Sequence, residues 1–316
     1  MCVYLLGVDI GGTKCAVSLG TPDGTIEDRL EMPTEPQTGP DAIMARLTSL
    51  ARELAVSASG PIGAVGISCG GPLDTKTGMI HSPPNLPGWE AVPVRRLFED
   101  VFPGVPVFVE NDANATALAE WRWGAGVGTR NMVYLTQGTG IGGGLILDGR
   151  LYRGTNDLAG EVGHQTILPE GPLCGCGKRG CLEALASGPS IARLARESLH
   201  YRRGRRLVEI AGGRPGEITA RHIIEAAREG DAFSRSILEE AGTYLGIGLA
   251  NIIQILNPER IVLGTIAVHA GDLILEPARR TVAERAWERS RSVCAIVPAA
   301  LGDRAQDLAA IAIGLV

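Results

Sequence analysis

The stretch "RNMVYLTQGTGIGGGLILDGRLYRG" occupies residues 130–154, and its reading decides the fold. Gly138, Gly140 and Gly143 have the G-x-G-x-x-G spacing of a dinucleotide-binding turn. That turn must open a helix, whereas the residues that follow here, "LILDGRLY", run as a strand. The Gly-Lys-Ser/Thr ending of a Walker loop is missing as well. The stretch therefore reads as strand, glycine turn, strand, short turn, strand. The start of the chain reads the same way. "VYLLGV" (3–8), "TKCAVSLG" (13–20) and "TIEDRLEM" (25–32) are strands, joined at Gly11-Gly12 and at Pro22-Asp23-Gly24.

Helices and strands alternate after each triplet. Residues 41–57 have apolar positions at helical spacing and open with Asp41 at a cap position. A strand (62–68), a helix near 90–102, a strand (105–111) and the helix of "ENDANATALAEW" follow. After the second triplet come helices at roughly 187–203, 219–229 and 231–256 and a strand at 260–264. A helix near 270–290, a strand near 293–297 and a final helix over 303–315 close the chain. The two halves repeat an element order without repeating letters. This is the pattern of one duplicated α/β unit with a cleft between the copies. No Pro- or Ser-rich linker divides them, so the boundary near 117–130 is expected to be a hinge.

Composition narrows the function classes. Of 316 residues, 45% are hydrophobic and 21% charged, which is globular and not disordered. The formal charge is −5, and "YRRGRR" (201–206) reads as a solvated helix end, not a nucleic-acid patch. "MCVYLLGVDI" lacks a basic n-region and reads as a first strand; no stretch has the eighteen or so apolar residues of a membrane span. A cytoplasmic protein with no nucleic-acid or membrane partner is expected. Its seven cysteines are then thiols. Cys2, Cys15, Cys69 and Cys294 lie in apolar segments as small core residues, and the other three cluster.

Four segments can carry chemistry. In "VDIGGTK" (8–14) the glycines let backbone approach a ligand, Thr13 can donate to a phosphate oxygen, and Asp9 can orient a hydrated magnesium ion. The plain alternative is a tight hairpin with Asp9 as turn former. The turn at 138–140 offers a second phosphate loop, with backbone N–H groups and Thr139. Two such loops, one at the start of each half, can hold a polyphosphate between them. "EVGHQTILPEGPLCGCGKRGCLE" (161–183) carries His164, Cys174, Cys176 and Cys181, the Cys₃His set of a structural zinc site. Four good ligands leave no open position, so the metal should organise this loop. Finally, "VENDANATALAEW" (109–121) puts Asp112 where a strand gives way to a helix. It reads as an N-cap or as a chemical group.

Together these residues resemble the ROK family of sugar kinases and sugar-responsive repressors. "DIGGTK", "ENDANA", "GTGIGGG", "EVGH" and "CGCGKRGCLE" stand in the family's order and spacing over nearly the whole chain. The resemblance implies an α/β fold of two actin-like domains (ribonuclease H-like, hexokinase/actin superfamily) around a cleft, with a small zinc-binding loop. The first domain would span 1–117, with the last helix (303–316) packing back onto it, and the second 118–302, containing the zinc loop 161–183. It implies Asp112 as general base and Gly71, Asn85, Asn111, Glu161, His164 and Glu183, with Asp112, as sugar contacts. His164 would place one ring nitrogen on zinc and the other toward the sugar. Asp9, Gly11, Gly12, Thr13, Lys14, Gly138, Thr139, Gly140, Gly142, Gly143 and Gly264 would surround ATP and its Mg²⁺.

Among the family's kinases the wording is closest to glucokinases, so the resemblance implies ATP-dependent phosphorylation of a hexose, glucose first. N-acetylmannosamine, N-acetylglucosamine, mannose and fructose are the alternative substrates. A homodimer or higher homo-oligomer is implied as well. Two positions depart from the pattern: Thr265-Ile266 follow Gly264 where more glycine is usual, and Gln306 replaces a small residue. Both bear on the adenosine pocket. The rival class is a sugar-sensing regulator without catalysis. A DNA-binding one needs an N-terminal helix-turn-helix, and a sensor should lack the base.

Overall fold

The computed structural model describes residues 3–83, 85–200 and 203–316. Cys2, and Tyr201 and Arg202 of the basic cluster, lie outside the described residues. The first strands are β1 (Tyr4–Ile10), β2 (Lys14–Gly20) and β3 (Ile26–Pro33), followed by helix α1 (Pro40–Ser57) and β4 (Ile62–Cys69). Next come the short strands β5 (Leu73–Asp74), β6 (Met79–Ile80) and β7 (Val92–Pro93), then α2 (Val94–Val101), β8 (Val107–Asn111) and α3 (Asp112–Trp123). The second series is β9 (Met132–Gln137), β10 (Ile141–Leu147) and β11 (Arg150–Tyr152). Helices α4 (Leu182–Ala186), α5 (Gly188–Ser198), α6 (Arg205–Ile210), α7 (Ala220–Arg228) and α8 (Ala232–Leu256) follow. Then come β12 (Arg260–Leu263), α9 (Ile266–Ala270), α10 (Asp272–Arg285), α11 (Glu288–Arg291), β13 (Ala295–Pro298) and α12 (Ala305–Ile313).

The duplication is visible in the sheets. Of the two five-stranded sheets, one runs β3-β2-β1-β4-β8 and the other β11-β10-β9-β12-β13, the same order in both; β5, β6 and β7 form a third, small sheet. In the first, β1 pairs antiparallel with β2 and parallel with β4, and β4 pairs parallel with β8. In the second, β9 pairs parallel with β12, and β12 with β13. The central strand β1 is apolar along nearly its whole length, as a strand covered on both faces must be. The outer strand β3 is charged and mostly exposed, which blunts an open edge.

The chain divides into two compact units. One comprises the residues to Gly128, with Gly144–Ala159 and Ala300–Val316; the other comprises Thr129–Gly143 and Gly160–Ala299. Helix α3 lies whole in the first unit, and α12 packs there against α3, β1 and β4. The first unit's core is built from alternate residues of its strands and from Ile43, Met44, Leu47, Ala51 and Leu54, the i, i+3, i+4 face of α1.

Several local expectations are corrected. Helix α1 starts at Pro40 with Gly39 as its cap, and Asp41 sits in the first turn with no capping bond from any side chain. Proline at the first helical position needs no N–H partner and presets the helical φ, so the start is displaced by one residue. The helix expected over 187–203 is α5, which Ser187 caps by accepting from the Ser190 N–H and which ends early, at Ser198; the short α4 precedes it. Cys15 and Cys69 are buried as expected, whereas Cys294 is only half-buried. Arg205 and Arg206 begin α6 and are exposed, paired with Glu209 at 3.0 Å and Glu229 at 2.6 Å. Among the described residues no helix is long and apolar enough to cross a membrane.

Candidate active site and metal loop

In the first unit three parallel strands end together. Register pairs Asp9 of β1 with Ser68 of β4, and Cys69 of β4 with Asn111 of β8. Asp9, the Gly70-Gly71 exit and the Asn111-Asp112 exit therefore share one sheet end. The carboxyl ends of parallel strands are where open α/β sheets bind ligands. A Cβ on Gly70 would lie 4.0 Å from Asp112 Oδ2, and one on Gly71 would lie 3.5 Å from Asn111 Nδ2. The turn after Asp9 is pinned: the Thr34 hydroxyl donates to the Gly11 carbonyl (2.6 Å) and the Thr34 N–H to that of Thr13 (3.0 Å). A side chain on Gly12 would come within 2.7 Å of Asn85 Cβ, so bare backbone there lets the Asn85 loop lie on the turn. Lys14 pairs with Glu31 at 2.9 Å on the surface.

The strand-to-helix joint assigns its two polar residues different tasks. Asn111 is the N-cap of α3, and its side-chain oxygen accepts from the N–H groups of Ala113 (3.0 Å) and Asn114 (3.4 Å). Asp112 is the first helical residue, accepts from the Ala113 N–H at 2.8 Å, and is exposed. Of the two readings open for Asp112, the N-cap falls instead to Asn111. One amide side chain already satisfies the end, leaving the carboxylate available.

The electrostatics are those of crowded acids. Burial, then the Asp112 and Asp307 carboxylates, push the Asp9 carboxyl up to about 7 against the opposing Lys14 and Arg29 charges. The protein packed around the Asp112 carboxyl desolvates it and raises it as well, although the residue keeps an open face; the Ala113 N–H, its own N–H and the Asn111 side chain oppose the rise. A bound divalent cation would displace the proton from such a group, and in its ionised form a raised carboxylate takes a proton from a neighbouring hydroxyl more readily than an ordinary one. Asp307 was not among the sequence candidates. It lies on α12, accepts from the Ser18 hydroxyl at 2.6 Å, and takes two bonds from Arg29 Nε at 2.9 and 3.1 Å. The signal was present as an acid immediately before the apolar run "LAAIAIG" (308–314).

In the second unit, residues 138–140 turn β9 into β10, with the Gly138 N–H donating to the Gly140 carbonyl at 2.9 Å. This is the strand-turn-strand form read from the sequence, and Gly142 and Gly143 lie within β10 itself. A Cβ on Gly143 would meet Val162 Cγ2 at 2.8 Å, and one on Gly163 the Ile141 carbonyl at 1.9 Å. Two bare positions thus let the Glu161–His164 turn lie directly on β10. Glu183, on α4, accepts from the Ile141 N–H at 3.0 Å through Oε2 and from the Cys174 thiol at 3.4 Å through Oε1. Gly264 tolerates no side chain, since its Cβ would sit 2.4 Å from the Tyr134 hydroxyl. Thr265 keeps a left-handed φ of 54°, costly for a β-branched residue, and its hydroxyl lies 3.1 Å from that of Thr136. Gln306 is exposed on α12.

The ligand atoms of His164, Cys174, Cys176 and Cys181 all lie within 4.8 Å of one another. Cys176 Sγ and Cys181 Sγ are 3.7 Å apart, and Cys174 Sγ is 3.6 Å from His164 Nδ1. Bonds of about 2.3 Å to sulfur in a tetrahedron require edges of about 3.8 Å, so the set fits a tetrahedral ion with little adjustment. Burial pushes the metal-free Cys174 thiol up to about 12, a cost that a bound cation would offset by taking the thiolate. His164 turns Nδ1 toward the sulfurs and Nε2 toward Glu161 Oε2, 3.7 Å away.

Mixed sheets of one strand order, with glycine turns at corresponding joints, define the hexokinase-like class of α/β proteins. A family model described as "ROK family" matches residues 5–314. The chain belongs to the ROK family. It is 38% identical over 281 residues to a glucokinase of Halalkalibacterium halodurans, covering 88% of this chain and 84% of that protein. Among solved structures, a ROK hexokinase from Thermus thermophilus aligns with a TM-score of 0.83 at 35% identity, over 99% of this chain and 98% of that one. A ROK glucokinase from Streptomyces griseus, in complex with glucose and AMPPNP, aligns with a TM-score of 0.82 at 32% identity over 99% of both.

Proposed function

We propose that this chain is an ATP-dependent hexose kinase that transfers the γ-phosphoryl group of ATP to the 6-hydroxyl of glucose. The observation that carries the reading is Asp112, a carboxylate at the strand ends that the adjacent Asn111 relieves of capping. A sugar hydroxyl is a poor nucleophile at neutral pH. Asp112 takes its proton as the new oxygen–phosphorus bond forms and the bond to the β-phosphate oxygen breaks, releasing ADP. Its raised carboxyl holds that proton more firmly than an ordinary aspartate would.

Asn111, Glu161, His164 and Glu183, with Gly71 and Asn85, are assigned to the sugar. Buried polar partners discriminate strongly against analogues that leave them unpaired. The turns at Gly11–Lys14 and Gly138–Gly140, with Gly142, Gly143 and Gly264, are assigned to ATP. Asp9 is the group to hold hydrated Mg²⁺, which supplies charge neutralisation on the phosphates. The ion at His164, Cys174, Cys176 and Cys181 is assigned as structural zinc. A cytoplasmic homodimer belongs to the same reading.

The test is a coupled ADP-release assay over glucose, mannose, fructose, N-acetylglucosamine and N-acetylmannosamine. Glucose should give the highest kcat/KM. A higher value for another sugar would correct the substrate, and turnover of none would overturn the kinase reading.

A further inference from the structure

The second unit joins the metal loop to the glycine turn through one short helix. Helix α4 starts directly after the ligand Cys181 and carries Glu183 in its first turn. Three hydrogen bonds run from this helix and its exit to the turn at 138–140 and its flanks. Glu183 Oε2 accepts from the Ile141 N–H at 3.0 Å, Gln137 Nε2 donates to the Ala186 carbonyl at 2.7 Å, and the Gly188 N–H donates to the Gly138 carbonyl at 2.8 Å. A side chain on Gly140 would come within 2.5 Å of Glu183 Oε2, so the carboxylate lies directly against the turn. The other oxygen, Oε1, is 3.4 Å from Cys174 Sγ. One carboxylate therefore touches a metal ligand with one oxygen and the phosphate turn with the other.

We propose that Glu183 is a positioning residue for the nucleotide, coupling the Cys₃His loop to the glycine turn, so that a filled metal site pre-organises the turn for phosphate even with no sugar present. This rests on the kinase reading and deepens it, because there Glu183 serves only the sugar. The physical basis is simple. A turn whose N–H groups bind phosphate does so best when its conformation is fixed beforehand, since ordering it on binding costs affinity. Two of the three ties leave from backbone that follows Cys181, and the third is Glu183 itself. A loop held by four metal bonds gives α4 a fixed start, and a loose loop does not. The coupling is reciprocal by linkage: nucleotide should tighten the metal by the same factor.

Direct titration calorimetry with AMPPNP and Mg²⁺, sugar absent, reads the coupling without turnover. Four full-length samples are compared: wild type loaded with Zn²⁺, wild type after chelation, Glu183→Ala and Glu183→Gln. Chelation and Glu183→Ala should each weaken AMPPNP at least tenfold. Glu183→Gln should stay within about threefold, because its amide oxygen can still accept from the Ile141 N–H. Chelation of Glu183→Ala should cost less than chelation of wild type, since one of the three ties is already cut.

Should the chelated protein unfold, amide hydrogen exchange on metal-loaded Glu183→Ala gives the same answer. Exchange should rise at residues 138–141 with zinc content unchanged. Unaltered AMPPNP affinity in Glu183→Ala, or unaltered exchange at 138–141, would overturn the coupling and leave the kinase intact. No AMPPNP binding to loaded wild type would instead overturn the kinase reading itself.

Discussion

Asp9 at the end of β1 and Asp112 at the end of β8 share one sheet end, with β4 between them, and lend themselves to separate tests. Asp112→Asn removes the base while Asn111 still caps α3, so the fold should be retained. The rate constant kcat should fall about 10²–10⁴-fold, the usual contribution of general base catalysis, while glucose affinity changes little. Trp89, buried and four residues beyond Asn85, offers a fluorescence readout of binding without turnover. Normal turnover by folded Asp112→Asn would remove Asp112 from the mechanism. Asp9 has a pH signature. Its carboxyl titrates near 3.8 unfolded and near 7 folded, so between these values the native state holds a proton that the unfolded chain has released. Wild-type stability from this group therefore falls as pH rises from about 4 through 7. Asp9→Asn, which does not titrate, should raise Tm relative to wild type far more at pH 8 than at pH 5, in cation-free buffer. Equal shifts at both pH values would show that the carboxyl is not raised.

At the scale of elements, the strands of both sheets were legible because an apolar run bounded by glycine turns has few alternatives. The glycine pattern at 138–143 was legible as a strand turn because the residues after it alternate in no helical period. Clustering of His164, Cys174, Cys176 and Cys181 was legible from spacing alone. Caps were not. Gly39 and Asn111 cap the helices instead of Asp41 and Asp112, and a displacement of one or two residues is below what propensity resolves. Strands β5, β6 and β7, two residues each, were invisible because only pairing across the chain defines them. The metal loop carries its own prediction. Removing one of four ligands should lower both zinc content and stability, because a structural zinc contributes folding energy directly. Elemental analysis should find one zinc per wild-type chain and less in Cys181→Ser, with a lower Tm. A metal-free wild type of undiminished Tm would refute the assignment.

At the scale of the whole molecule, the chain end returns to its beginning. Asp307 bonds to Ser18 from 289 residues away, and α12 is buried along its length from Leu308 to Ile313. Sequence periodicity shows that α12 is apolar but not which strands receive it, so Asp307 could not be linked to Arg29 in advance. Asp307→Ala leaves the Ser18 hydroxyl and the Arg29 guanidinium without their acceptor and should cost about 2 kcal/mol in urea unfolding. It should also lower the Asp9 carboxyl, since the Asp307 charge helps to raise it. A smaller pH dependence of stability in this variant than in wild type checks the second effect. The joint at Asn111 has a consequence of another order. Because Asn111 alone caps the helix, the proposed assignment of the proton to Asp112 means that a single codon change at 112 would silence phosphorylation at almost no structural penalty. On that assignment, a lineage carrying this architecture would drift from enzyme to receptor through folded intermediates, keeping its grip on the sugar throughout.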